Sequence, residues 1–386
     1  MTRSSSSSRG SSAARKRAGG AGRPGPAAAV PRPVQRSEAL LRWTIGLAVG
    51  AAFTWLAARS WPLDAVVGGS LTLEATALGP ALVMRSAGGP VSWSASLLHL
   101  LGYFLVQFVI HAFRVVRWQP LVRPFAKVPL AILNRDGAIG FMGVFLLPLR
   151  LGELVRPVLL ARDAGIPFGT GLSQIAVERI ADGLVVTLLF FAVLVQVPAA
   201  ALERAPEVQV GAYAALLVFA GATVALCLTA FARGLTIRLI DRTFGRLSGK
   251  LGQRLVGLLT AFVDGLRLLG SPLAVLGFLG LTAGYWLVNG AGYWLLGLGF
   301  GLQLSLVGAY AMMCTVVIGM MIPNSPGNVG SFWYFVLLPA GLFGVDGGSP
   351  RAVVFALALW AIQLLQVTLF GLWGLWARGR WLARGG

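Results

Sequence analysis

The stretch Phe145-Leu146-Leu147-Pro148-Leu149-Arg150-Leu151-Gly152-Glu153-Leu154-Val155-Arg156 is an apolar run broken by proline. Glycine follows four residues later, with three charged side chains around it. Proline ends a helix, and glycine permits the tight reversal that comes next. In water such a break is ordinary. Inside a bilayer it strands backbone N–H and C=O groups, and it survives only where protein or a water-filled cavity satisfies them.

The surrounding chain puts this stretch in a bilayer. Of 386 residues, 56% are hydrophobic and only 12% charged, whereas soluble domains carry roughly 25% charged residues. The mean hydropathy is +0.78. Apolar segments run over Leu41–Ala58, Ser96–Val116, Ala138–Leu149, Ile175–Val197, Val210–Phe231, Ala274–Leu298, Leu304–Met321, Phe332–Val345 and Val353–Trp376. Two of them, Ala138–Leu149 and Phe332–Val345, fall short of the ~20 residues a crossing needs. The expected fold is therefore all-α, a polytopic helical membrane protein with about six to eight crossings and one or two re-entrant broken hairpins.

Basic residues set the expected orientation. Arg114, Arg117, Arg123, Lys127 and Arg135 precede the first short segment, and Arg150, Arg156 and Arg162 follow it. Lys and Arg near span ends stay cytoplasmic, so this segment should enter the membrane and return. The segment Arg233–Arg267 and the end of the chain (Arg378, Arg380, Arg384) are basic too, whereas Trp61–Pro90 and Glu203–Glu207 carry few cations. Both termini are then cytoplasmic in the cell membrane. The net charge of +19 follows this positive-inside pattern, so no nucleic acid partner is expected.

Residues 1–38, rich in Ser, Gly, Pro, Ala and Arg, read as a disordered basic tail. The membrane domain spans 39–378, and 379–386 form a short basic tail. Within 232–272, apolar residues from Ile240 to Leu266 recur at spacings of three and four, with basic residues between them. This predicts one amphipathic helix, either along the cytoplasmic interface or packed on the bundle. Asp264 on it is expected to face water. Trp43, Trp61, Trp93, Trp118, Trp373 and Trp376 lie at predicted span ends and read as aromatic-belt residues. Cys227 and Cys314 read as apolar fillers. With His99 and His111 the only histidines, neither a metal site nor a Ser-His-Asp set is expected, and no cofactor. His111 and Arg114 read as interfacial anchors.

A second stretch echoes the first. Met320-Met321-Ile322-Pro323-Asn324-Ser325-Pro326-Gly327-Asn328-Val329-Gly330 is also an apolar run broken by proline, with Gly327 four residues after Pro323. If Leu304–Met321 and Phe332–Val345 are two arms of an external hairpin, the halves of the chain form an inverted repeat. Broken segments at corresponding positions of two halves point to a midplane transport site. A short tilted crossing by Phe332–Val345 is the other reading.

Ionisable residues inside apolar segments each cost roughly 2.5–3.5 kcal/mol at a helix centre. Arg150, Glu153 and Arg156, spaced by three, would share a helix face after Pro148. Glu178, Arg179 and Asp182 open the next long span at helical contact spacing. Formal charge over the six is zero. Either they form a network that fixes packing, or the three guanidinium forks receive a phosphate headgroup while the carboxylates hold them. Asn324, Ser325 and Asn328, with backbone N–H groups freed by Gly327 and Gly330, offer an anion-binding turn.

The pattern P-x-R-x-G-E-x-x-R over Pro148–Arg156, followed by E-R-x-x-D over Glu178–Asp182, resembles the lysylphosphatidylglycerol synthase transmembrane (flippase-like) family. Ser325–Phe332 and Val367–Leu372 look like that family's closing motifs. The resemblance, over about Ser96 to Trp376, implies a multi-spanning lipid translocase. By position Arg150, Gly152, Glu153, Arg156, Glu178, Arg179 and Asp182 inherit its motif roles. Two features depart from it. Trp333 stands where relatives often carry an acidic, amide or His residue, and no aminoacyl-transfer domain follows the last span.

The first expectation is therefore translocation of a phospholipid or lipid-linked headgroup, anionic or phosphate-bearing, without catalysis. A scaffold or accessory role in a cell-envelope lipid pathway is the second, and a membrane-embedded transferase the third. No P-loop is present, while Glu178 or Asp182 could carry a proton for gradient coupling.

Overall fold

Crossing a hydrocarbon layer of about 30 Å takes roughly 20 helical residues. Six helices of the computed structural model, which describes residues 36–86, 89–203, 206–244, 250–266, 271–321 and 325–383, reach that length. They are α1 (Arg36–Ala58), α3 (Leu97–Val122), α6 (Phe168–Leu194), α8 (Pro206–Phe231), α11 (Pro272–Gly299) and α14 (Pro350–Leu382). Of these, α3, α8, α11 and α14 are also apolar enough throughout to cross, and α1 contributes the apolar stretch Trp43–Ala58. Helix α6 carries Glu178, Arg179 and Asp182 within its length. Leu217, Leu228, Phe231 and Leu273 are exposed, as lipid-facing side chains must be.

Small residues bring the long helices together, as they do where lipid supplies no hydrophobic drive between helices. Helices α3 and α11 run antiparallel, with Gly284 against Phe113, Gly292 against Tyr103 and Gly299 against His99.

The two short segments form broken hairpins. In the first, α4 (Leu130–Leu146) ends at a 3-10 turn over Pro148–Leu154, and α5 (Val155–Asp163) returns alongside it. In the second, α12 (Leu306–Gly319) is followed by a 3-10 turn over Pro326–Asn328. The return arm is α13 (Ser331–Leu337) and a further 3-10 turn, Ala340–Phe343. Seven residues of helix reach only about 10 Å, so Phe332–Val345 is the returning arm and not a tilted crossing. The two hairpins meet tip to tip, where Arg150 Nη1 donates to the Met320 carbonyl at 3.0 Å.

The echo holds in the backbone of the two tips, and its register differs from the one read in the sequence. Pro148 and Pro326 each open a 3-10 turn. Two residues on, Arg150 and Asn328 both have φ 57°, the positive-φ non-glycine residues among those described. Gly152 and Gly330 follow after two more. The equivalent of Pro148 is thus Pro326, not Pro323, which lies outside the described residues with Asn324. Side chains are excluded at both glycines. A Cβ on Gly152 would overlap the backbone of Gly143 and Val144, and one on Gly330 would overlap that of Thr54 on α1.

Three elements depart from expectation. Between α1 and α3, where a plain connection is expected, the short helix α2 (Leu63–Val67) precedes a three-stranded antiparallel sheet. Its strands are β1 (Gly69–Thr76), β2 (Gly79–Ser86) and β3 (Val91–Ser96). β1 pairs with β2 from Gly69↔Ser86 to Thr76↔Gly79. Across that pair Arg85 meets Glu74 at 2.7 Å, which holds the Glu74 carboxyl down at about 2. The single amphipathic helix expected over Ile240–Leu266 is instead two helices, α9 (Arg233–Phe244) and α10 (Lys250–Asp264), with 245–249 outside the described residues. α10 packs on α6, where Thr170 Oγ1 donates to the Ala261 carbonyl at 3.1 Å, and Asp264 pairs with Arg233. The expected tail also ends early, since α1 begins at Arg36; residues 1–35 are not described. α7 (Ala199–Leu202) lies between α6 and α8.

A clasp joins the feet of the first hairpin to the last helix. Asp163, at the end of α5, accepts from Arg135 on α4 and from Arg378 on α14. Arg135 Nε also donates to Asp136 at 2.7 Å. The foot of the second hairpin rests on a neutral cap instead, Ser305 Oγ accepting from Gly308 N at the start of α12.

Candidate functional site

Glu178 is fully buried on α6 and accepts hydrogen bonds from three guanidinium groups. Arg117 Nη2 approaches at 3.0 Å, Arg156 Nη2 at 2.6 Å and Arg179 Nη2 at 2.8 Å. One turn on, Asp182 accepts from both terminal nitrogens of Arg117 and from Trp286 Nε1 at 3.1 Å. Arg179 stands 3.4 Å from Asp182. The i, i+4 spacing of the two carboxylates places both on one helix face, and that face looks at α3 and α5.

Aromatic rings back the arginines. The Arg156 guanidinium lies 4.3 Å from the Trp118 ring centroid, and that of Arg117 lies 4.4 Å from Tyr285. A cation over a ring face is attracted by its quadrupole, so these stacks orient the forks while carboxylates fix their ends. Trp118 is therefore a buried floor and not a belt residue, and Trp93 is likewise buried, donating to the Val66 carbonyl at 2.9 Å.

Between the hairpin tips and these helices lies a cavity of about 150 Å³. Arg150, Glu153, Arg156, Arg179 and Asp182 line it, with Glu178 directly behind. Arg150 pairs with Glu153 at 3.2 Å, but Arg156 turns away from both toward Glu178, because a 3-10 turn and not an α-helix connects them. Gly152 contributes by close approach to α4, not by contact with the cavity. Of the second turn, only Asn328 lines the cavity. Ser325 donates instead to the Val329 carbonyl at 2.8 Å, Gly327 accepts from Trp360 Nε1 at 2.6 Å, and Asn324 lies outside the described residues.

Two lining arginines were read from the sequence as ordinary span-end cations. Arg117 is almost wholly buried and bonds both carboxylates. Arg114 is half-buried, donates through Nε to the Tyr285 hydroxyl at 3.2 Å, and has no carboxylate partner among the described residues. His111 beside it is no surface anchor either: it is buried, with Asn134 at 2.7 Å. The cluster thus sets five guanidinium groups (Arg114, Arg117, Arg150, Arg156, Arg179) against three carboxylates (Glu153, Glu178, Asp182), an excess of two positive charges. The Nε atoms of Arg117, Arg156 and Arg179 are buried without a partner.

A second hollow, apolar and about 600 Å³, runs along α1 beside the second turn, lined by Leu47, Ala51, Trp55 and Val329 among others. Ser325 and Pro326 border it while Asn328 faces the charged cavity, so one turn walls both spaces. No three His, Cys, Asp or Glu residues stand together as metal ligands among those described.

Neither a curated protein nor a solved structure matches the chain. The profile of the family described as lysylphosphatidylglycerol synthase TM region matches residues 43–371, across both broken hairpins and the arginine cluster. The chain belongs to that family, and is a multi-pass membrane protein of lipid handling.

Proposed function

We propose that the protein moves a lipid with an anionic, phosphate-bearing headgroup from one leaflet of the cell membrane to the other. The observation that carries this reading is the guanidinium-rich, part-open cavity where the tips of two broken hairpins meet. Arginine forks match phosphate oxygens in pairs, and a site at the interface of inverted repeats can open to each side in turn. The apolar hollow along α1 offers the lipid's chains a path beside the same turn.

Basic residues at the feet of the first hairpin and at the end of α14 favour the cytoplasm for that end of the bundle and for both termini. The reading is of a carrier, not an enzyme. A general base must reach a substrate proton, whereas Glu178 and Asp182 have their oxygens occupied by arginine donors, and Glu153, which faces the cavity, is paired with Arg150. The same occupancy disfavours them as proton carriers.

Leaflet exchange of fluorescent phospholipids in proteoliposomes tests the proposal. Arg114→Gln and Arg150→Gln are the informative variants, because neither residue holds Glu178. Each should slow exchange about tenfold or more, the worth of one charge-assisted hydrogen bond, while reconstituting normally. No exchange by well-folded wild type with any anionic lipid would sink the translocase and favour a scaffold role.

A further inference from the structure

We propose that the headgroup taken by this cavity is a bare phosphate monoester bearing two negative charges, rather than a phosphodiester carrying glycerol or an aminoacyl group. The inference rests on reading the cavity as a headgroup site, and goes beyond it by naming the ligand class. It also departs from the cationic lysyl headgroup in the family's description.

Charge is the first argument. Five guanidinium groups face three carboxylates, and the lining holds no other acidic residue. A buried charge without a counter-charge is costly in a low dielectric, so two negative charges complete the cluster. A phosphate monoester carries about −1.5 to −2 at pH 7, whereas a phosphodiester carries one charge and leaves one guanidinium uncompensated. A lysyl headgroup adds ammonium groups. The carboxylates facing the cavity, Glu153 and Asp182, are already paired with Arg150 and with Arg117 and Arg179.

Size is the second and is independent of charge. A cavity of about 150 Å³ takes a guest of roughly benzene's bulk. One phosphate group fills that volume, so whatever a diester carries beyond its phosphate must lie outside the arginine cluster.

Donor placement is the third. Arg114 spends only its Nε on a hydrogen bond, its guanidinium lying against the Phe141 and Tyr285 rings, while Arg150 retains Nη2 and Arg179 retains Nη1, with no hydrogen-bond partner for these nitrogens among the described residues. They come from α3, from the first tip and from α6, and so approach the space from three sides. A monoester presents three terminal oxygens that can accept them, while a diester presents two.

The test uses the full chain in nanodiscs and measures binding of five probes: phosphatidic acid, a polyprenyl phosphate, phosphatidylglycerol, lysyl-phosphatidylglycerol and inorganic phosphate. Both monoester lipids should bind at least about tenfold tighter than phosphatidylglycerol, the weight of one further charge-assisted contact. Lysyl-phosphatidylglycerol should bind more weakly still. Arg114→Gln lowers the excess to one and should narrow the monoester preference, while Arg114→Lys keeps both charge and preference. Phosphatidylglycerol or its lysyl ester binding as tightly as the monoesters would overturn the inference and leave the translocase standing. A preference unchanged in Arg114→Gln would also overturn it. Inorganic phosphate binding as tightly as the lipid monoesters would overturn the lipid as the source of the group. Binding and exchange of no lipid at all would remove both readings.

Discussion

Pro148, Arg150 and Gly152 on the first hairpin tip stand where Pro326, Asn328 and Gly330 stand on the second. Proline opens each 3-10 turn, the third residue has φ 57° in both, and glycine closes the pattern against a neighbouring backbone. The chemistry differs. The first tip adds Arg150 and Glu153 and leads into Arg156, all bound into the ionic cluster. The second is held by neutral donors, Trp360 to Gly327 and Ser325 to Val329. A broken backbone is needed twice to build the space, whereas charge stands on one side of it only, where the proposed headgroup would be recognised. Left-handed backbone costs a non-glycine residue about 1–2 kcal/mol, less for asparagine. The arginine at the first tip therefore carries the larger strain, and carries it where it touches both cavity and opposing hairpin.

The largest expected effect tests whether the first side is ionic in structure as well as in recognition. Glu178→Ala leaves Arg117, Arg156 and Arg179 facing one another, a loss of about 3–5 kcal/mol by analogy with broken buried pairs. Thermal unfolding in detergent should register a collapse in folded yield, while Asn328→Ala at the second tip stays within about 1 kcal/mol. Equal losses would erase the contrast. Next come the glycines. Gly152→Ala and Gly330→Ala should both lower the melting temperature, the first through overlap with the Gly143–Val144 backbone and the second through overlap with Thr54 and the strain of φ 80°.

Exchanging the tips sharpens the comparison. Arg150→Asn alone should slow lipid exchange about tenfold. Adding Asn328→Arg restores the charge and should recover most of that loss, because the two positions share one backbone. No recovery would mean that the arginine must come from the first tip. The smallest effect lies outside the membrane, where acid acts on the sheet. Glu74 has its folded value at about 2, below its ordinary 4.5. The stability it contributes is full above the ordinary value and is lost as pH falls through the folded one. Limited proteolysis should therefore find β1 and β2 loosening between about pH 4.5 and pH 2, with Glu74→Gln insensitive over that window.

Much of this was legible in the sequence, and the gaps have physical causes. Span lengths and the Pro–Gly breaks gave the helices and both hairpins, because a bilayer admits few alternatives. The register of the echo was ambiguous since Pro323 and Pro326 each precede a glycine by four residues, and only backbone dihedrals separate them. Arg114 and Arg117 sit at the end of an apolar segment, where the positive-inside rule accounts for them without a partner. A signal did exist, because they lie three apart on one helix face in a chain whose next long helix carries two acids on one face. The sheet was missed although Leu71, Leu73 and Ala75 alternate with Thr72 and Glu74 before the turn at Gly79, a half-buried strand pattern. It was passed over because a hydropathy reading treats everything between spans as connection.

The clasp of Asp163 between Arg135 and Arg378 has a mechanical consequence. It rivets both legs of the first hairpin to the longest helix, so this hairpin and α14 form a stator. The second hairpin has a hydroxyl cap at Ser305 and no ionic rivet among the described residues, and it meets the first through Arg150 at Met320 and Met321 and through the packing of its turn on α4 and on the first turn. On the proposed carrier reading, the second hairpin is the part left to rock, and its packing on α14 through Trp360 is what that motion would have to shear. On that reading Arg150, on the riveted side, would be the latch released in each cycle.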